Sequence, residues 1–277
     1  MASNGDFDWA VPVMRLGYAG RALVYLAVAG VSLQSLFSGG SAEGTSSVFK
    51  TLETSTWGTV VLFLIFMGMV CYAAWRLIDA AWDLECYGSD GEGIVARLGM
   101  CITGAIHLGL GIGAALLIFT GSSGSGEQST FSKAAEAVLS WPAGRWILGI
   151  AGVLTIGAGL YYGKKAYERA YRKHLRGNEV TRNWDVLLRI GVAAQGFVVA
   201  MIGFFILYAA WTYSPDQAGG MGEVFSWLSG QAYGQILVIA LCIGLLCFAL
   251  FCAVNAVYRI VPRASDPDIE TLAAKFS

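Results

Sequence analysis

The chain repeats itself three times. Arg15-Leu16-Gly17, Arg97-Leu98-Gly99 and Arg189-Ile190-Gly191 each open a long apolar stretch. Each stretch ends in a polar gap rich in Gly and Ser or broken by Pro. A second apolar stretch then opens on a glycine: Gly58, Gly144 or Gly234. Self-similarity at a fixed period sets the architecture before any local detail. Six runs are long enough to cross a bilayer, at about 20 apolar residues each: 16–37, 58–80, 98–120, 145–163, 190–212 and 234–257. Backbone groups in lipid must be satisfied internally, and the alternation of barrel strands is absent, so these runs are helices. The expected fold is an all-α membrane protein: six transmembrane helices as three repeated hairpins around a pseudo-three-fold axis. A tail at 1–14 leads into repeat 1 at 15–80. Repeat 2 covers 97–163, a basic loop 164–188, repeat 3 189–259, and a second tail 260–277.

Composition agrees. Hydrophobic residues make up 56% and charged residues 13%, about half the charge of a soluble domain, and mean hydropathy is +0.60. The net charge of −1 gives no basic field for nucleic acid. All five prolines fall outside or at the edges of the spans, so no span should kink at its centre. Asp6 and Asp8 stand where a signal peptide carries basic residues, so the first run reads as a retained anchor. The six cysteines show no metal-binding spacing, and five lie in apolar runs, where cysteine acts as a small hydrophobe. No metal, cofactor or catalytic set is expected.

Orientation follows from the cations. With six spans, both termini and the second and fourth loops share a side, and that side holds 15 of the 18 Lys and Arg residues. Cytoplasmic termini are expected. The 163–189 loop is the one strongly basic stretch. It reads first as that orientation signal, and second as a short helix on anionic headgroups. His174 within it reads as a solvated surface residue. The acidic 80–96 loop could pair with it, weakly. On the other side, 48–52, 131–139 and 224–228 read as short interfacial helices, with Trp57, Trp141, Trp146 and Trp227 as an aromatic belt.

Aligning the odd spans on their arginines exposes two registers. Seven residues in stand Ala22, Gly104 and Gly196; seven further stand Ala29, Gly111 and Gly203. Small residues seven apart form a stripe that lets helices approach closely in lipid. Gly109/Gly113 and Gly159/Gly163 add two GxxxG pairs. The second register is polar: Arg21, Thr103 and Gln195 at six in, then Tyr25, His107 and Val199 at ten. His107 would lie about 15 Å inside its arginine, near the midplane. It is either a functional group or a neutral imidazole bonded to a carbonyl. Asp79 ends the second span near the level of Arg21, and the two are expected to pair.

Arg15-Leu-Gly-Tyr-Ala-Gly-Arg21-Ala-Leu-Val-Tyr25, Pro142-Ala-Gly-Arg-Trp146 and Gly68-Met-Val-Cys-Tyr72-Ala-Ala-Trp75-Arg76-Leu-Ile-Asp79-Ala resemble the bacterial family built on the domain of unknown function numbered 1206. That family has three tandem transmembrane helix pairs. Copies two and three depart at the Arg21 position (Thr103, Gln195) and at the Asp79 position (Lys165, Asn255). The resemblance implies a bacterial inner-membrane protein and supplies no activity. The residues themselves favour a non-enzymatic scaffold or partner-binding subunit in membrane lipid. The alternative is a small-solute or ion transporter or channel, with a polar path lined by Arg21, Tyr25, Thr103, His107 and Gln195.

Overall fold

The computed structural model describes residues 7–120, 127–264 and 269–276. Asp6, the Gly/Ser gap at 121–126 and Pro267 lie outside the described residues. Six long helices carry the fold: α1 (Ala10–Phe37), α3 (Thr56–Trp82), α4 (Gly91–Thr120), α6 (Gly144–Tyr167), α8 (Asp185–Thr212) and α10 (Gly234–Tyr258). All six are long and apolar enough to span a membrane, and the protein is a multi-pass membrane protein. At their far ends α1 and α8 stop at Phe37 and Thr212, where the apolar runs end. On the termini side several helices run one or two turns further than hydropathy suggests. Those extra turns carry Arg15, Arg97, Lys165 and Arg189, so the apolar pattern ends there while the helix continues.

The helices form an open ring in the order α4, α3, α1, α10, α8, α6. Each even helix packs on the odd helix of the next copy. Here the seven-residue stripe does its work: Gly104 and Gly111 of α4 meet Arg76 and Met69 of α3, while Gly196 and Gly203 of α8 meet Gly159 and Ile156 of α6. On α1, which packs on α10, Ala29 is buried and Ala22 half-buried. The repeat-opening arginines staple the same joints. Arg97 donates to the Ala80 carbonyl (2.6 Å) and Arg189 to the Ala166 carbonyl (3.1 Å). Both carbonyls belong to the last turn of the preceding helix, which lacks intrahelical donors.

Within a copy, a second register holds the hairpin. Gly17 lies on the backbone of Tyr72, and Gly20 on that of Gly68. In copy three Gly191 lies on Cys247 and Phe248, and Gly244 on Ala194. Copy two differs. The positions of Gly20 and Gly68 become Ile102 and Leu154, which are 61% and 66% exposed, and Gly99 meets nothing within 4 Å. Two branched side chains replace the small pair, and α4 and α6 do not pack along each other. The three-fold ring is therefore open in its second hairpin. The Gly109/Gly113 pair faces outward with nothing within 4 Å, against the packing role expected of it, because α4 turns its other glycine stripe to α3. Gly159 does pack, on Ala200.

Three short helices cross the end remote from the termini: α2 (Thr45–Glu53), α5 (Glu127–Leu139) and α9 (Met221–Ser229). They occupy the three stretches expected to be interfacial. Val48, Phe49, Ala135, Val224 and Phe225 are buried beneath them, while Trp57, Trp141, Trp146 and Trp227 face outward. The termini side is closed differently. The 163–189 segment continues α6, turns through a 3-10 helix (Ala170–His174) and a one-turn α7 (Glu179–Asn183). It pairs with the C-terminal segment through Leu175–Arg259 and Arg176–Thr271 bridges. His174 is not a solvated surface residue: it is half-buried, stacked on Tyr87 at 6.3 Å. Residues 270–273 of the C-terminal segment lie against residues 172–177 of the loop.

Candidate functional site

Four cations converge inside the bundle at its termini-side end. Arg21 comes from α1, Arg76 from α3, Lys165 from α6 and Arg259 from the residue that follows α10. Together with Tyr18, Tyr87, Tyr162, Val192, Phe248 and Phe251 they line a polar pocket of about 40 Å³. A water molecule needs roughly 10–15 Å³ of such space, so the pocket suits about three waters or one small polar group. All three copies contribute to its wall.

Arg21 is 4% exposed and has no carboxylate partner among the described residues. Its Nη1 donates to the Tyr72 hydroxyl at 2.9 Å. Its guanidinium carbon sits 4.9 Å from the Tyr72 ring centroid, 5.2 Å from Phe248 and 5.8 Å from Tyr25. Three π faces thus offset a charge that would otherwise be costly to bury. The cage leaves Arg21 Nε without a hydrogen-bond partner, although buried donors are nearly always satisfied. Lys165, half-buried at the pocket wall, also lacks an ion pair among the described residues.

Two carboxylates answer the four cations. Asp79 lies 3.7 Å from Arg76 Nη1 and accepts the Glu85 backbone N–H at 3.1 Å. Glu85 accepts from Arg259 Nε at 2.7 Å and from the Tyr87 hydroxyl at 3.3 Å. Burial alone would raise the Glu85 pKa, but Arg259, Arg76 and His174 outweigh it and hold it down at about 2. Burial and the Arg259 charge lower His174 to about 4, so it is neutral at pH 7. The cluster carries a positive excess at neutral pH, and Arg21 and Lys165 are its unpaired members.

The expected pair of Arg21 and Asp79 does not form. Tyr72 stands where the two would meet and takes hydrogen bonds from both Arg21 and Arg76. Asp79 instead faces the 83–88 loop one turn beyond. The polar register splits in the same way. Tyr25 packs edge-on to Phe248 at 4.8 Å, one turn deeper than Arg21, and does not line the pocket. His107 lies across Tyr72, ring to ring at 4.6 Å, with Nδ1 on the Thr103 carbonyl at 2.7 Å. Thr103 bonds back to Gly99 in its own helix. Gln195 is buried with Oε1 unpartnered, outside the pocket lining. Of these five residues only Arg21 lines the pocket.

Three pocket cations escaped the sequence reading, Arg76, Lys165 and Arg259, as did Glu85, the carboxylate that pairs with Arg259. The three cations were counted as orientation signal, and only their helix-end positions hinted that they point inward. A larger crevice, about 380 Å³ between α8 and α10, is lined by apolar residues such as Ile190, Phe197 and Leu237, as befits a lipid-facing surface.

A family profile described as Domain of Unknown Function (DUF1206) matches residues 16–83, 98–169 and 190–259. The chain belongs to this family. The three matches coincide with the three helix pairs, and each ends at the termini-side boundary of an even span. An uncharacterised protein of Bacillus subtilis (strain 168), YxxB, is 24% identical over 255 residues, covering 91% of this chain and 92% of that protein. No solved structure matches the chain.

Proposed function

We propose that this DUF1206 protein is a non-enzymatic, carrier- or channel-class protein of a bacterial inner membrane that binds a small anion. The observation that carries the reading is the buried pocket with two unpaired cations, Arg21 and Lys165. A low-dielectric site with excess positive charge favours an anionic occupant. The cation distribution supports cytoplasmic termini, and the pocket then lies at the cytoplasmic end of the bundle. The opposite half is packed with Val24, Val28, Ala29, Val48 and Phe49. The basic surface of the 163–189 segment, with Lys164 and Lys173 exposed, would sit among anionic headgroups.

A second reading, a scaffold that binds a partner protein, draws on the glycine joints and on the open α4–α6 hairpin. Reconstitution separates the two. Proteoliposomes holding the protein should take up labelled acetate or chloride faster than empty vesicles, and Lys165→Met should lower that rate at least fivefold. If the full-length protein neither binds nor moves either anion, the scaffold reading stands and this one falls.

A further inference from the structure

We infer that the pocket takes a small carboxylate, and that this ligand competes with Glu85 for Arg259. The inference rests on the anion-pocket reading and adds the ligand class and a residue that sets its affinity. Arg259 has two calls on its guanidinium. It lines the pocket, and it also holds the Glu85 carboxylate through Nε and Nη2, while Nη1 bonds Asn255 Oδ1 at 2.7 Å. The chain's own carboxylate shows what this cluster accepts: Arg259 Nε and Nη2 both hold Glu85 Oε1, and the Tyr87 hydroxyl donates to Oε2. A guanidinium beside a phenol hydroxyl engages the two oxygens of a carboxylate separately, a match that a spherical halide does not offer. The space beside Arg259, bounded by Arg21 and Lys165, fits one such group.

Glu85 sits on a strap, residues 83–88, whose shape depends on its contacts. Asp83 and Cys86 have φ of 52° and 58°, and Gly88 has 89°. The Asp83 carboxylate accepts from the N–H groups of Tyr87 and Gly88. The Glu85 N–H rests on Asp79, and the N–H of Arg263, in the C-terminal segment, donates to the Leu84 carbonyl. Arg263 also donates from Nη1 to the Trp82 carbonyl. A carboxylate that draws Arg259 into the pocket removes the partner of Glu85. A buried acid left without its partner is disfavoured, so the strap and the C-terminal segment loosen together. Binding is thereby converted into a change on the face that carries the termini.

The test uses the full chain in nanodiscs. Labelled acetate binding is measured by equilibrium dialysis at constant ionic strength, with chloride as the competing probe. Glu85→Gln should bind acetate about tenfold more tightly, since a tethered competitor lowers apparent affinity by the fraction of time it occupies the shared partner. In the wild type, acetate should speed hydrogen exchange at the Glu85, Tyr87 and Arg263 amides at least threefold. Equal acetate affinity in wild type and Glu85→Gln, or strap amides unmoved at saturation, overturns the competition while leaving an anion pocket in place. Chloride displacing acetate at equal concentration overturns the carboxylate class. No acetate bound by either protein overturns the pocket itself. Should Glu85→Gln fail to fold, the exchange measurement on the wild type decides alone.

Discussion

Gly17, Gly99 and Gly191 occupy one position in three copies, yet the same substitution should have different effects at each. A Cβ added at Gly17 would lie 2.6 Å from Tyr72 Cα and 2.7 Å from its N. Carbon atoms in contact sit about 3.5–4.0 Å apart, so α1 and α3 must separate by about 1 Å. A gap of that size forfeits roughly a quarter to a half of each dispersion contact across the joint. Overpacking of this kind typically costs about 1–3 kcal/mol. Because the obstacle is backbone rather than a side-chain tip, Gly17→Ala should lie near the top, about 2–3 kcal/mol. Gly191→Ala should match it, since its Cβ would meet Cys247 and Phe248 backbone at 2.5 Å. Gly99→Ala meets nothing within 4 Å and should be neutral or slightly stabilising through helix propensity. Equilibrium unfolding in mixed micelles, with SDS as denaturant and tryptophan fluorescence as signal, measures all three. Gly17→Ala should also weaken anion binding, because Tyr72 positions Arg21. Equal stability of the Gly17 and Gly99 variants would refute the argument that hairpin two is open.

Three further outcomes follow from the same geometry. Ile102→Ala with Leu154→Gly restores small residues where copies one and three have them, and should bring α4 and α6 together; distances between spin labels on the two helices should shorten, and an unchanged distribution would reject Ile102 and Leu154 as the cause. Asp185→Asn removes the charge that Arg172 (Nε to Oδ1, 2.8 Å) and the Tyr171 hydroxyl (2.9 Å) bind, and leaving a buried cation unpaired should cost about 3 kcal/mol, read as faster proteolysis of the 169–178 segment. His174, with a folded pKa lowered from 6.5 to about 4, contributes stability that is full above pH 6.5 and lost as pH falls toward 4; the slope is at most about 1.4 kcal/mol per pH unit, and thermal midpoints at pH 7 and pH 5 should differ less in His174→Asn than in the wild type.

The hydropathy pattern located all six spans, because burial in lipid leaves a 20-residue apolar signal that neighbouring elements cannot mask. The stripe of Gly104, Gly111, Gly196 and Gly203 was equally legible, since a seven-residue period specifies a face. Its partner was not. Gly17 and Gly20 form a second face, three residues apart, and nothing in the spacing says which helix each face meets. The pocket was least legible. Arg76, Lys165 and Arg259 lie at helix ends, where hydropathy sees only loop charge, and whether a long side chain turns inward or out to water depends on what fills the centre. Arg21 was found by depth alone, but its partner was misassigned: three aromatic rings compensate it, and ring faces leave no trace in a count of charges.

Strict three-fold repetition would itself prevent such a site. Repeating Asp79 in every copy would place three carboxylates at one level of a low-dielectric core. Like charges about 10 Å apart at an effective dielectric of 20 repel by roughly 1.7 kcal/mol per pair. The chain instead carries Asp79, Lys165 and Asn255 at that level, and Arg21, Thr103 and Gln195 at the next. The first set thus carries two charges of opposite sign, Asp79 and Lys165, and the second carries Arg21 alone, while Asn255 and Gln195 are buried. Loss of symmetry in charge accompanies loss of symmetry in packing, for Lys165 is supplied by α6, the helix that has parted from its own hairpin partner α4. Lys165 on that helix lines the pocket and makes no ion pair among the described residues, and the proposed anion site draws on that unpaired charge.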